Sequence, residues 1–150
     1  MTYKEKIDMM PHVCFLLDII NVTQTYGVRI DEVKRVKSTN DEFLIQCYVF
    51  VICGLEPNIN KMVLENMVES ESNYLKRTKM RIQKDAMLAL QHSDSLNLSS
   101  LIIFSYFGLE FKDEFIKCVM NYDRQLHDII FRNGDFRRFN IESIFESFSQ

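Results

Sequence analysis

The chain has 150 residues, 47% of them hydrophobic, with 18 basic and 21 acidic side chains and a formal net charge of -3. That length suits one domain burying roughly 70% of the surface its unfolded chain exposes, and the hydrophobic fraction excludes a disordered polar chain. The near balance of charge excludes a global electrostatic drive toward nucleic acid or an anionic membrane.

Four glycines and two prolines leave few breakers, so long helices with short joints are expected. Pro11 suits the first turn of a helix, followed by Val13, Leu17 and Ile20 at helical spacing and stopped by Gly27. Asp31 to Lys37, with Val33 and Val36, has room for one or two turns. Thr39-x-x-Glu42 reads as a capping box before the run Phe43 to Cys53, which is apolar on all sides except Gln46. A helix of that kind is expected in the centre of a bundle. Asn60 is the next expected cap, before a short helix carrying Met62, Val63, Met67 and Val68.

A longer helix is expected from Ser72 to His92, with Leu75, Ile82, Ala86 and Ala89 in one stripe. Ser93 to Ser100 reads as a polar joint, and Leu98 to Phe107 as a second central apolar helix. From Lys112 to Arg132, Phe115, Val119, Tyr122, Leu126 and Ile129 recur at 4-3-4-3 spacing. Asn140 then caps a short helix bearing Ile141, Ile144, Phe145 and Phe148. The expected fold is all-α: a single compact domain over residues 1–150, built of six to eight helices around two apolar central ones.

Cys14, Cys47, Cys53 and Cys118 each lie in an apolar run with no Cys-x-x-Cys spacing, so they are expected as reduced, buried thiols. The start of the chain lacks a signal-type apolar core, and no apolar run approaches the ~18 residues of a membrane span. An intracellular location, cytoplasmic or nuclear, without membrane contact is therefore expected. The scarcity of Gly, Ala and Pro beside abundant Ile, Phe, Asn and Lys points to an AT-rich genome, such as some viruses carry.

His12-x-Cys14 is one ligand-like pair, but His92 and His127 stand apart and no zinc-type spacing such as Cys-x-x-Cys or His-Glu-x-x-His occurs, so no metal or other cofactor is expected. The glycines are spent at helix ends, and no serine or cysteine sits in a nucleophile turn, so no catalytic residues are assigned. Basic residues cluster at Lys76, Arg77, Lys79, Arg81 and Lys84, and again at Arg132, Arg137 and Arg138 among Phe131, Phe136 and Phe139. A charged run opposite an apolar stripe is first of all a solvated helix face.

These features favour a non-catalytic protein-interaction domain, an adaptor, inhibitor or assembly subunit, using an apolar patch or groove. Its partner is a protein, a second copy of the chain included. The twelve phenylalanines and eight methionines are residue types that helix-binding grooves use. Residues expected off the main stripes, and hence on such a surface, are Met80, Met87, Phe136, Phe139, Phe145 and Phe148. The first alternative is nucleic-acid association through residues 131–139, led by Arg132, Arg137 and Arg138. It is disfavoured by the charge balance. The second is an enzyme whose site carries no recognisable motif.

Overall fold

The computed structural model describes residues 1–131, and these form eight α-helices and one 3-10 turn, with no strand among the described residues. The helices are α1 (Tyr3–Tyr26), α2 (Ile30–Lys37), α3 (Glu42–Ile52), α4 (Pro57–Glu69), α5 (Tyr74–Gln91), α6 (Leu96–Phe104), α7 (Lys112–Tyr122) and α8 (Arg124–Phe131). The all-α bundle expected from the sequence is what forms. The helix expected after Asn140 lies outside the described residues.

The central helices are α1 and α5, in place of the two most apolar segments. Helix α5 packs against α1, α3, α4 and α6, and α1 packs against α2, α5, α6, α7 and α8. Length is the reason. At ~1.5 Å per residue, the 24 residues of α1 and 18 of α5 run the depth of the bundle, while the 11 of α3 cover only part of it. Helix α3 therefore buries Leu44, Cys47 and Tyr48 and leaves Phe43, Ile45, Val49, Phe50, Val51 and Ile52 half-buried. In α6, Ser99, Ser100, Ile103 and Phe104 are buried while Leu98, Leu101 and Ile102 are not fully covered.

The only two alanines of the chain, Ala86 and Ala89, are both buried in α5. Buried Ser99 and Ser100 lie on the neighbouring α6, with their hydroxyls donating to Ser95 and Leu96 carbonyls at 3.0 and 2.9 Å. Small side chains let helices close to the short end of the usual 8–10 Å separation. Satisfying the serine hydroxyls within their own helix removes the cost of burying them. At the other end of the core, Phe104, Phe107, Phe111 and Phe115 stack edge-on and face-on with ring centroids 5.3 to 5.7 Å apart.

Several boundaries differ from the sequence reading, each for a local reason. Helix α1 begins at Tyr3 because Thr2 and Glu5 form a capping box: Glu5 N donates to Thr2 Oγ1 at 3.1 Å and Thr2 N donates to Glu5 Oε2 at 2.7 Å. Pro11 thus sits inside the helix, on its exposed side, where water can serve the carbonyl one turn back. Asp41, not Thr39, caps α3, accepting from Leu44 N at 3.1 Å. Glu56 caps α4, with Pro57 in its first turn. Asn60 is instead buried inside α4, and its amide donates to Gln91 Oε1 at 3.0 Å. The expected helix from Lys112 to Arg132 breaks at Asp123, whose extended backbone and side chain cap α8 by accepting from Gln125 N and Leu126 N. Leu126 stays buried, but Tyr122 and Ile129 turn outward.

A polar brace joins α1, α3 and α5. The Gln83 amide donates to His12 Nε2 at 2.9 Å and to Asp41 Oδ2 at 2.7 Å, and Lys79 Nζ lies 3.4 Å from the same carboxylate oxygen. Burial, and after it the charge of Lys79, lowers the His12 pKa to about 4 against the opposing pull of Asp41. Burial pushes the Asp41 carboxyl up, but the Leu44 N–H, the Gln83 amide and Lys79 together hold it below the usual range. A second brace ties α2 to α1: Arg35 bonds Asp18 and Glu32 while its guanidinium lies 4.8 Å from the Phe15 ring.

Leu126→Ala and Ile103→Ala should each cost about 2–5 kcal/mol in urea unfolding, and Phe50→Ala, half-buried on α3, only about 1 kcal/mol. Ala86→Leu should cost about 1–3 kcal/mol by overpacking the centre. His12 adds a pH dependence. Above pH ~6.5 it is neutral folded and unfolded alike; as pH falls toward 4 the unfolded chain takes a proton that the folded chain refuses. Stability should drop by about 2–3 kcal/mol across that window, and the His12→Gln variant should lack that part of the slope. An identical slope in the variant would remove His12 as the cause.

Candidate functional site

The sequence-expected surface residues divide into two sets. Met80 and Met87 are buried, which corrects the expectation that they lie on a free face. The C-terminal half of α5 has no free face, because four helices surround it and Ala86 through Leu90 are all buried. Phe136, Phe139, Phe145, Phe148, Arg132, Arg137 and Arg138 lie outside the described residues.

The basic run on α5 is engaged throughout. Lys76 meets Glu71 at 3.1 Å, Lys79 meets Asp41 at 3.4 Å, Arg81 meets Glu69 at 3.0 Å and Lys84 meets Asp85 at 3.2 Å. Arg77 Nε donates to the Glu71 carbonyl at 2.6 Å. These lysines and arginines face carboxylates and carbonyls of their own chain, so the run is an ion-paired helix face, with no unopposed positive patch for phosphates.

Histidines and cysteines occupy separate places. His12 belongs to the Gln83 brace, His92 ends α5, and His127 is buried against Phe131 with Nδ1 3.1 Å from Asp128. Cys14 Sγ donates to the Cys118 carbonyl at 3.8 Å. Burial pushes the Cys14 thiol up to about 12 and raises those of Cys47 and Cys118, so all three are held as thiols at neutral pH, whereas Cys53, at the end of α3, is exposed, which corrects the expectation that all four are buried. Among the described residues, no three of His, Cys, Asp and Glu converge as metal ligands, and no helix is long and apolar enough to cross a membrane.

Exposed apolar side chains cluster at the joint between α1 and α2. Tyr26, Val28 and Ile30 are 65%, 56% and 76% exposed within five residues. Gly27, at φ 77°, turns the chain out of α1 and directs these side chains away from the core. Val28 also forms a wall of a groove of about 550 Å³, together with Val51 and Ile52 of α3 and Leu90 of α5. Thr23, Gln24, Gln91, Ser93, Asp94 and Ser95 supply its polar side. The sequence does carry a signal for this edge: an apolar triplet interrupted by Gly27 and Arg29, in a joint too short to fold back on the core.

Three helices end at this groove. Residues of the last turns of α1, α3 and α5 line it, and none of those turns carries a basic residue. Helices α3 and α5 close alike. Leu55 N reaches back to the Phe50 carbonyl at 3.0 Å across Gly54 at φ 75°, and Asp94 N to the Ala89 carbonyl at 3.0 Å across Ser93 at φ 57°. Gln24 Nε2 donates to the Asp94 carbonyl at 2.6 Å and pins the end of α1 to the end of α5. The Asp94 side chain, half-buried, meets no cation among the described residues. The nearest basic residue along the joint, Arg29, faces Asp31 at 3.6 Å and the Tyr26 ring at 5.8 Å.

Ser93 holds a backbone conformation that glycine adopts at less cost. Ser93→Gly should therefore raise thermal unfolding stability by about 0.5–1 kcal/mol without altering the fold. A neutral or destabilising result would mean that the Ser93 side chain contributes contacts of its own. No protein family, curated protein or solved structure gives a match to this chain.

Proposed function

We propose that the chain is a non-catalytic protein-interaction domain, and that it docks a protein partner on the apolar edge formed by Tyr26, Val28 and Ile30 and on the groove beside it. The observation that carries this reading is the exposure of three large apolar side chains in one joint, next to a concavity with apolar walls at Val51, Ile52 and Leu90. Exposed apolar residues scattered singly need no explanation, but a cluster beside a groove resembles the apolar centre of an interface with a polar rim. Phe50 and Val49 on α3 extend the half-buried apolar surface from the same helix. The engagement of every basic residue in the α5 run favours this reading over nucleic-acid association.

The test is affinity capture from native extract with the full chain and with a Val28→Asp/Ile30→Asp variant, alongside sedimentation of both. Both side chains are exposed, so the variant should unfold within about 0.5 kcal/mol of the parent. A defined partner, or a dimer in sedimentation, that is lost in the variant supports the reading. A parent that is monomeric and captures nothing, or a variant that captures the same partner equally well, overturns it.

A further inference from the structure

We propose that the groove between the ends of α1, α3 and α5 is a seat for a cationic side chain, lysine or arginine, of a protein partner. The inference rests on the interaction reading above and specifies the chemistry of one part of that surface.

The electrostatics of the groove have one sign. Each helix end presents the negative pole of its peptide dipoles, about half an elementary charge within the last turn. Three such ends meet here without a basic residue in any of the last turns. Asp94 adds a full negative charge on the groove wall and has no cation opposite it among the described residues. This differs from two other concavities among the described residues. Those are lined by Lys76 and Lys79, which already face Glu71 and Asp41.

Shape agrees with charge. Lysine and arginine carry an aliphatic stem and a charged head, and they settle where the stem lies on apolar surface while the head meets an acceptor. Val28, Ile52 and Leu90 provide apolar wall, and the Asp94 carboxylate provides the acceptor, the carbonyls of the closing turns being already bonded within the chain. A guanidinium, with five donors in a plane, can bond both oxygens of that carboxylate. The groove's volume of about 550 Å³ accommodates one such side chain with its flanking backbone.

The chain's own sequence also holds arginines beyond α8. Helix α8 ends against Asn97, whose Nδ2 donates to the Ile130 carbonyl at 2.5 Å, and Asn97 lies two residues from Ser95 on the groove. Arg132, Arg137 and Arg138 follow directly in sequence. The experiment must therefore separate a partner's cation from the chain's own.

The probe is N-acetyl-arginine amide, with N-acetyl-citrulline amide as the uncharged analogue of the same shape, titrated into the full chain and followed by amide chemical shifts. Saturable shifts of order millimolar affinity are expected at residues 23–24, 51–52 and 90–95, with little response to citrulline. Asp94→Asn, which keeps the backbone closure at Ser93, should weaken the arginine titration about five- to tenfold. Absence of groove shifts, equal response to both probes, or indifference to Asp94→Asn overturns the cationic seat. Groove shifts that emerge only in an Arg132→Ala/Arg137→Ala/Arg138→Ala variant overturn the partner and assign the seat to the chain's own arginines. Capture of a partner that depends on Val28 and Ile30 but not on Asp94 overturns this inference alone and leaves the apolar edge standing.

Discussion

Everything in the bundle is arranged around the enclosure of α5. A helix contacted on four sides by α1, α3, α4 and α6 must present side chains small enough to admit each neighbour. The chain meets that requirement by placing its only two alanines, Ala86 and Ala89, in the enclosed half, with Ser99 and Ser100 on α6. Close packing multiplies weak dispersion contacts, and the larger Ile82, Met87, Leu88 and Leu90 fill the remaining space. Enclosure also explains why methionines that periodicity leaves off the main stripe of α5 are core residues. A helix surrounded on four sides has no idle face to offer a partner.

Polar contacts tie the outer helices to this axis. Gln83 is buried in α5 and spends its amide on His12 of α1 and on the Asp41 cap of α3. One residue thereby joins three helices, and the burial that comes with the brace lowers the imidazole's pKa. Arg35 fixes α2 to α1 through Asp18, Glu32 and Phe15. Gln91 receives Asn60 of α4 and donates to the Leu55 carbonyl, anchoring the joint between α3 and α4. Gln24 ties the end of α1 to the end of α5. The bonds made by Gln24 and Gln91 border the groove, so the concavity is framed by residues that also hold the helix ends in place.

That framing gives the groove its character. Helix ends carry unpaired carbonyls that need water, a cap or a ligand. Here the closing turns satisfy most of those carbonyls internally, but the aligned dipoles of three helix ends and the Asp94 carboxylate still give the spot one sign, and the apolar residues of the α1–α2 joint lie beside it. A surface that joins apolar contact with one-signed charge can choose among partners, because apolar area supplies affinity while charge excludes the wrong sequence.

The sequence by itself determined the helical class and most of the elements. Scarce breakers, apolar spacing and Gly27 and Gly54 at positive φ are local facts, governed by backbone sterics and by patterns a few residues long. Local reasoning failed where two local options were equally good. Thr-x-x-Glu occurs at Thr2–Glu5 and at Thr39–Glu42, yet only the first closes a capping box, because Asp41 is held at the second by Gln83 and Lys79 from a distant helix. The 4-3-4-3 stripe from Phe115 to Ile129 is continuous on paper but breaks where Asp123 caps α8. Tertiary structure alone decided which helices are central, since hydropathy ranks α3 and α6 highest but length and the number of neighbours place α1 and α5 inside. It alone assembled the groove, whose walls come from residues 23, 51 and 90, far apart in the chain. The charge and exposure of that surface arise from where three helices end relative to one another, and relative position is a property of packing.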